Sequence, residues 1–231
     1  MLTFDSKICN NMTSISKENY LKLIFAHNEK NNQFVTTSVL AHELEISNAA
    51  TSEMAKKLNN SGFVTYQKYK GIELTKKGKK IALDVVRRHR LWELFLMKVL
   101  GLSWAEVHDE AERLEHISSE KLIDRIDAFL EFPVLDPHGE PIPTKNGKMP
   151  KIPKSIKLSE GQVGNRYKIT KVEDAGNNLI SYLSRIGIEL NQTLDIIEKL
   201  SFDNSVIVKY EGNELSLSEK VANHLFIINV N

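Results

Sequence analysis

Residues 36–75, TTSVLAHELEISNAATSEMAKKLNNSGFVTYQKYKGIELT, decide how the chain is read. Apolar residues at helical spacing predict a short helix over 36–44, a turn over 45–48 and a longer helix over 49–61. These are the proportions of a helix-turn-helix. Gly62 follows as glycine does just past a helix C-terminus. Two β-prone runs, 63–67 and 72–75, are joined by Lys68-Tyr69-Lys70-Gly71, which predicts a hairpin with two lysines and an aromatic at its tip. A helix-turn-helix followed by a basic hairpin is a winged helix. In that arrangement the 49–61 helix enters the major groove of DNA and the wing lies along phosphates. The candidate contacts are Thr36, Asn48, Ala49, Thr51, Ser52, Glu53 and Lys56, with Lys68 and Lys70 on the wing, whereas Met54, Ala55 and Leu58 face the core. Any single hairpin lysine, taken alone, is equally well read as plain surface charge.

Working outward, Tyr20, Leu21, Ile24 and Phe25 recur at helical spacing within 14–27, so an amphipathic helix precedes the winged helix, with Glu18 and Asn19 near its beginning. Residues 1–11 carry no pattern, and Met12 is an equally good start for the native chain. On the other side, Thr75 is placed to cap a helix that runs through Lys76-Lys77-Gly78-Lys79-Lys80 to Leu100. A helix of about 25 residues is about 40 Å long, enough to connect a basic head to whatever follows. Gly101 ends it, and Ser103-Trp104-Ala105-Glu106 reads as a capping box opening the next helix.

That next helix carries His108-Asp109-Glu110-Ala111-Glu112-Arg113-Leu114-Glu115-His116. At helical spacing His108, Glu112, Glu115 and His116 fall on one face about 100° wide, a row of metal ligands. His89 and Glu93 repeat the i, i+4 spacing inside the preceding apolar helix, and two such helices packed together can hold one or two divalent cations. The bland alternative is a solvated polar face with incidental histidines. Cys9 is the one cysteine, which excludes an internal disulfide framework and a cysteine-based zinc site, so any metal must accept nitrogen and oxygen donors.

Composition agrees with an ordinary globular chain. With 231 residues, 41% hydrophobic and 26% charged, there is room for two or three small domains, each with its own core. No apolar run approaches the ~18 residues of a membrane span and no signal-peptide pattern opens the chain, so a cytoplasmic protein is expected. The net charge of +1 hides an asymmetry. Residues 12–90 carry 14 Lys and Arg against 7 Asp and Glu, whereas 91–135 carry 4 against 10. A basic segment before an acidic one suits a polyanion-binding head on a cation-binding body.

A third helix is expected over 119–130, with Leu122, Ile123, Ile126, Phe129 and Leu130 apolar. Three helices cannot easily bury so much apolar surface, which points to a homodimer. The turn-rich Asp136-Pro137-His138-Gly139-Glu140-Pro141-Ile142-Pro143 places a carboxylate and an imidazole two residues apart, and 144–157 reads as a linker. Beyond Ser159, short strands over 167–171, 193–198, 205–210, 214–217 and 225–230, with a helix over 178–186, fit a small barrel.

The winged helix, then His89-Arg90-Leu91-Trp92-Glu93, then the 107–116 run, then the 136–143 turn together resemble the diphtheria toxin repressor and manganese transport regulator family over residues 14–231. The resemblance implies an α+β chain of three parts: a winged helix-turn-helix over 12–85, a helical metal-binding and dimerisation domain over 86–150, and a Src-homology-3-like β-barrel over 158–231. It also implies a homodimeric repressor of metal-uptake genes that binds double-stranded operator DNA when loaded with Mn²⁺ or Fe²⁺, two ions per chain, and that is not an enzyme. By that resemblance the primary site uses Asn19, Glu112, Glu115 and His116, and the second uses His89, Glu93 and His108, approached by Asp136, His138 and Glu173 of the barrel. Asn19 stands where relatives carry Asp or Met, and Glu112 where the iron-responsive branch carries Cys. A hard carboxylate in place of a thiolate favours Mn²⁺. The rival readings are a two-metal Mn/Zn hydrolase, which leaves the basic winged helix unexplained, and a winged-helix module with a merely structural metal site.

Overall fold

The structure, a computed structural model, describes residues 4–31, 34–68, 70–173 and 177–230, with side chains from Ile15 onward except at 29–31 and 177. Tyr69, expected at the wing tip, lies outside the described residues. The chain forms two compact units. The first comprises Met1–Arg88, Glu115–Ile117 and Pro143–Lys148; the second comprises His89–Leu114, Ser118–Ile142 and Met149–Asn231.

The first unit holds α1 (Phe4–Asn31), α2 (Thr37–Glu43), α3 (Asn48–Asn60), β1 (Val64–Gln67), β2 (Gly71–Leu74) and the first half of α4 (Lys76–Leu100). Thr36 caps α2 by accepting from the Val39 amide, and Ser47 caps α3 by accepting from Ala50, so each helix has an amide of its open first turn satisfied. β1 and β2 pair antiparallel from Val64 opposite Leu74 to Gln67 opposite Gly71. Val35 adds a bridge to Ile72. Tyr20, Leu21, Ile24, Leu40, Ala55, Leu58, Val64 and Ile72 are buried, the core of a winged helix. α1 begins earlier than the periodicity predicts, at Phe4.

α4 starts where expected, with Thr75 Oγ1 accepting from the Gly78 amide at 3.2 Å. Its interior glycine has a specific reason: a Cβ at Gly78 would sit 2.0 Å from the Phe63 carbonyl oxygen. The hairpin base therefore lies directly on the α4 backbone.

In the second unit, the rest of α4 packs with α5 (Val107–Leu114) and α6 (Glu120–Phe129). Leu91, Leu94, Leu96, Val107, Ala111, Ile123 and Ile126 form their core. Two expectations are corrected here. The Ser103 hydroxyl donates to the Glu106 carboxylate at 2.5 Å instead of capping an amide, and only the Glu106 half of the capping box forms, accepting from the Ser103 amide at 2.8 Å. α5 then ends at Leu114, so Glu115 and His116 stand in the following turn, not on the helix. Ser118 accounts for the early end: its hydroxyl donates to the Leu114 carbonyl at 2.6 Å, satisfying an acceptor that continued helix would have used. Ser119 then caps α6.

The C-terminal part contains β3 (Ile156–Lys157), β4 (Arg166–Val172), α7 (Asn177–Arg185), β5 (Thr193–Lys199), β6 (Val206–Tyr210), β7 (Asn213–Leu217), α8 (Glu219–Ala222) and β8 (Leu225–Asn229). Its strands pair antiparallel in the order β3-β8-β4-β5-β6-β7. Register shifts at Ile169/Lys171 and Ile196/Glu198 bend β4 and β5 and help the sheet to curl. Sequence pattern does not predict β3, because two residues are too few to show a period; it forms by pairing Ile156 with Ile227. Buried Leu158, Tyr167, Ile169, Leu183, Leu194, Ile196, Val208 and Leu225 fill the interior, and Trp104 packs against that cluster.

Replacing Gly78 by alanine tests the seating of the hairpin. In an ordinary helix interior this change stabilises by about 1 kcal/mol. Here the overlap with the Phe63 carbonyl reverses the sign, and the midpoint of thermal or urea unfolding is expected to fall by the equivalent of about 1–3 kcal/mol.

Candidate metal centre and nucleic-acid interface

In the second unit, three imidazoles converge on one buried carboxylate. His89 and Glu93 lie one turn apart on α4, with His89 Nε2 at 3.0 Å from Glu93 Oε1. His108 of α5 places Nδ1 at 3.3 Å from the same oxygen. His138, from the 136–143 turn, places Nε2 at 3.4 Å from it. Glu93 is only 2% exposed. Burial alone would raise its pKa, but the three imidazoles outweigh that and hold the carboxyl well below the usual range. One donor atom from each of His89, Glu93 and His108 lies within 4.8 Å of the others, close enough to share a cation. The other nitrogen of His89, Nδ1, faces Glu112 Oε2 at 3.4 Å.

Asp136 organises the turn that delivers His138. Its Oδ1 accepts from the amides of His138 at 2.8 Å and Glu140 at 2.9 Å, and its Oδ2 faces Arg90 Nε at 3.4 Å. Burial, and then the charge of Glu93, push the Asp136 carboxyl up to about 7. The turn is clamped to the barrel. The Val172 amide donates to the His138 carbonyl at 2.9 Å, and a Cβ at Gly139 would sit 2.1 Å from the Thr170 carbonyl oxygen. Trp104 stacks on His138, ring centroids 5.6 Å apart. Glu173, one residue beyond Val172, donates its amide to the His224 carbonyl.

A second cluster lies within the first unit. Glu115 has no solvent exposure, and Lys22 Nζ meets its two oxygens at 3.0 and 2.8 Å. His116 Nδ1 is hydrogen-bonded to Glu18 Oε2 at 2.8 Å, and its Nε2 lies 3.2 Å from Glu115 Oε1 without hydrogen-bond geometry. Burial opposes ionisation of Glu18, but His116, Arg88 and Lys17 prevail and lower its pKa. Thus Glu18, which the sequence reading passed over, touches the imidazole of His116. Asn19 Oδ1 is buried and has no hydrogen-bond partner among the described residues. A buried acceptor left unsatisfied calls for an unseen donor or cation. Every donor in both clusters is carboxylate, imidazole or amide oxygen, a set suited to Mn²⁺, Fe²⁺ or Zn²⁺. Glu18 and Lys22 carried one available signal, their i, i+4 spacing on one face of a helix. Arg90 and Trp104 carried none.

On the DNA side, Asn48, Ala49, Glu53 and Lys56 of α3 are exposed and Ser52 is partly so, while Ala55 and Leu58 are buried as expected. Thr51 is a correction: it is fully buried and its hydroxyl donates to the Ser47 carbonyl at 3.0 Å, so it locks the first turn of α3 and has no surface for a base. Its place one turn from Ala55 puts it on the core face. Thr36, though exposed, is engaged as the α2 cap. Lys68 and Lys70 are exposed beside the wing tip, and Lys77 lies over the Phe63 ring at its base, 4.3 Å from the centroid.

Comparison with known proteins finds three matching domains in order. Residues 12–72 match the iron dependent repressor N-terminal DNA binding domain, 75–144 the iron dependent repressor metal binding and dimerisation domain, and 156–229 the FeoA domain. The chain is 35% identical over 121 residues to the helix-turn-helix-type regulator MntR of Bacillus pumilus, a match covering 52% of this chain and 83% of that one. It is 39% identical over 104 residues to the iron-dependent repressor IdeR of Mycobacterium leprae, covering 45% of each. Among solved structures, a manganese-dependent transcriptional repressor in complex with manganese superposes with a TM-score of 0.85 at 36% identity, covering 92% of this chain and 99% of that one.

The raised pKa of Asp136 has a measurable sign. With a folded pKa of about 7 against an ordinary value of ~3.9, the folded chain keeps a proton that the unfolded chain has released. Stability therefore falls as pH rises through that window and levels off above it. In chelator, the urea midpoint of the wild-type chain is expected to fall between pH ~5 and ~7, and Asp136→Asn is expected to remove this part of the slope.

Proposed function

The chain belongs to the family of iron- and manganese-dependent transcriptional repressors, and from that premise we propose that it represses metal-uptake genes by binding operator DNA as a homodimer loaded with two divalent cations per chain. The observation that carries the reading is the convergence of His89, Glu93 and His108 on helices that directly follow a winged helix. One cation is assigned to His89, Glu93 and His108, with Asp136, His138 and Glu173 as further donors. The other is assigned to Glu112, Glu115 and His116, completed from α1 by Glu18 or by the amide oxygen of Asn19. Mn²⁺ is favoured because these donors include no thiolate.

A bound cation would supply the positive charge on which clustered carboxylates and imidazoles can settle together. The chain's own part is to tie α1 to the ligand-bearing turn. Glu18 reaches His116 from α1, which lies in the same compact unit as α3 and the wing. Holding that contact narrows the conformations of the DNA-reading unit, and such linkage ordinarily amounts to about 1–3 kcal/mol, or about 5- to 150-fold in affinity. Dimerisation is supported by Val99, Leu100, Leu122 and Phe129, large apolar side chains that α4 and α6 leave exposed. No described helix is long and apolar enough to cross a membrane. Two of the three matched domains are those of iron dependent repressors, and the hydrolase reading draws no support from them.

A duplex selected from a random pool in Mn²⁺, titrated by fluorescence anisotropy at fixed salt, tests the reading. Affinity is expected to weaken about 5- to 150-fold in chelator; equal affinity with and without metal rejects it. Lys68→Ala and Lys70→Ala are each expected to reduce the salt slope of binding by about 1 without changing the preferred sequence.

A further inference from the structure

Lys22 carries chemistry that the ligand assignment leaves unused. Its ammonium reaches both carboxylate oxygens of Glu115, across 93 residues of sequence, at 3.0 and 2.8 Å. Glu115 is fully buried, whereas the Lys22 side chain keeps 21% of its exposure. One turn earlier on α1, Glu18 meets His116. The face of α1 that meets the 115–117 turn therefore offers an anion to an imidazole and a cation to a carboxylate.

A buried carboxylate is strongly unfavourable unless a cation sits on it. Lys22 is a cation that the chain itself provides. Lysine also suits temporary service: its ammonium is a compact, strongly hydrated charge on a flexible stem, able to withdraw to water while the stem stays packed. The Nε2 of His116 is the complementary sign. It lies 3.2 Å from Glu115 Oε1 yet makes no hydrogen bond among the described residues, so with Lys22 in place the imidazole and the carboxylate are neighbours that do not satisfy each other.

We propose that Lys22 is a resident counter-ion for Glu115, holding its carboxylate when no metal does, and that a divalent cation must displace the ammonium to use Glu115 as a ligand. Lys22 thereby raises the metal concentration at which this site fills. The inference rests on Glu115 being a metal ligand, as assigned above.

Three full-length chains decide it: wild type, Lys22→Met, which keeps an unbranched stem without charge, and Lys22→Arg, whose planar fork grips a carboxylate more firmly. Each is titrated with Mn²⁺ by calorimetry at fixed pH and salt, and its thermal midpoint is read in chelator and in Mn²⁺. Lys22→Met is expected to tighten one binding step by about 5- to 150-fold, to leave the other step unchanged, and to lower the midpoint in chelator while widening the gap between chelator and Mn²⁺. Lys22→Arg is expected to weaken the same step. Unchanged or weaker Mn²⁺ binding in Lys22→Met overturns the proposal and leaves Lys22 a structural partner. If Lys22→Met does not fold in chelator, Lys22→Arg decides, and unchanged or tighter binding there overturns it. A wild-type chain that binds no Mn²⁺ rejects the ligand assignment itself, and the proposal with it.

Discussion

A carboxylate taken out of water must be met by positive charge or by a proton, and much of the fold's central geometry answers that demand. Glu93, Glu115 and Asp136 are all buried. Each is met differently. Three imidazoles from α4, α5 and the 136–143 turn gather on Glu93. Lys22 meets Glu115. Asp136 draws on two backbone amides and Arg90, and burial beside Glu93 pushes its pKa up until it holds a proton near neutrality. Such arrangements are poor devices for stability alone, since a well-packed apolar cluster of the same size often does as well. They suit a chain that must respond to a cation, because the same groups that are costly to leave uncompensated are those a divalent ion holds best.

The parts of this design that depend on neighbours in sequence were legible in the sequence. The helix-turn-helix followed from helical spacing and from Gly62 and Thr75 at helix ends, and the later strands from the change to short runs beyond Ser159. The imidazole and carboxylate at positions 89 and 93 were legible for the same reason, being one helical turn apart. What escaped depends on how helices end and on which way their faces are turned. The end of α5 at Leu114 is set partly by the hydroxyl of Ser118, whose side chain also accepts from Trp92 Nε1. Thr51 has the polar type and the position of a base contact, yet its helix is rotated so that the hydroxyl is spent on Ser47. Glu18 and Asn19 are adjacent in sequence, and only the packing of α1 decides which carboxyl or amide group reaches His116.

Close backbone approach is another property that periodicity does not reveal. Gly78 and Gly139 look like a weak spot in a helix and an ordinary turn residue. The Phe63 and Thr170 carbonyl oxygens lie where their side chains would be. One seats the wing hairpin on α4, and the other seats the His138 turn on β4. Trp104, stacked on His138 and packed on the barrel core, completes the second seat. The barrel is thus structurally continuous with the loop that carries the third imidazole.

His89 stands between two carboxylates, with Nε2 toward Glu93 and Nδ1 toward Glu112. A neutral imidazole carries one ring proton, so it can donate to only one of them at a time. Giving the proton to one side leaves a bare lone pair on the other. When the ring is neutral, the hydrogen bond made by one nitrogen sets which tautomer the opposite carboxylate meets. In that form Glu93 and Glu112 compete for the one ring proton, a constraint set by the position of the ring between them.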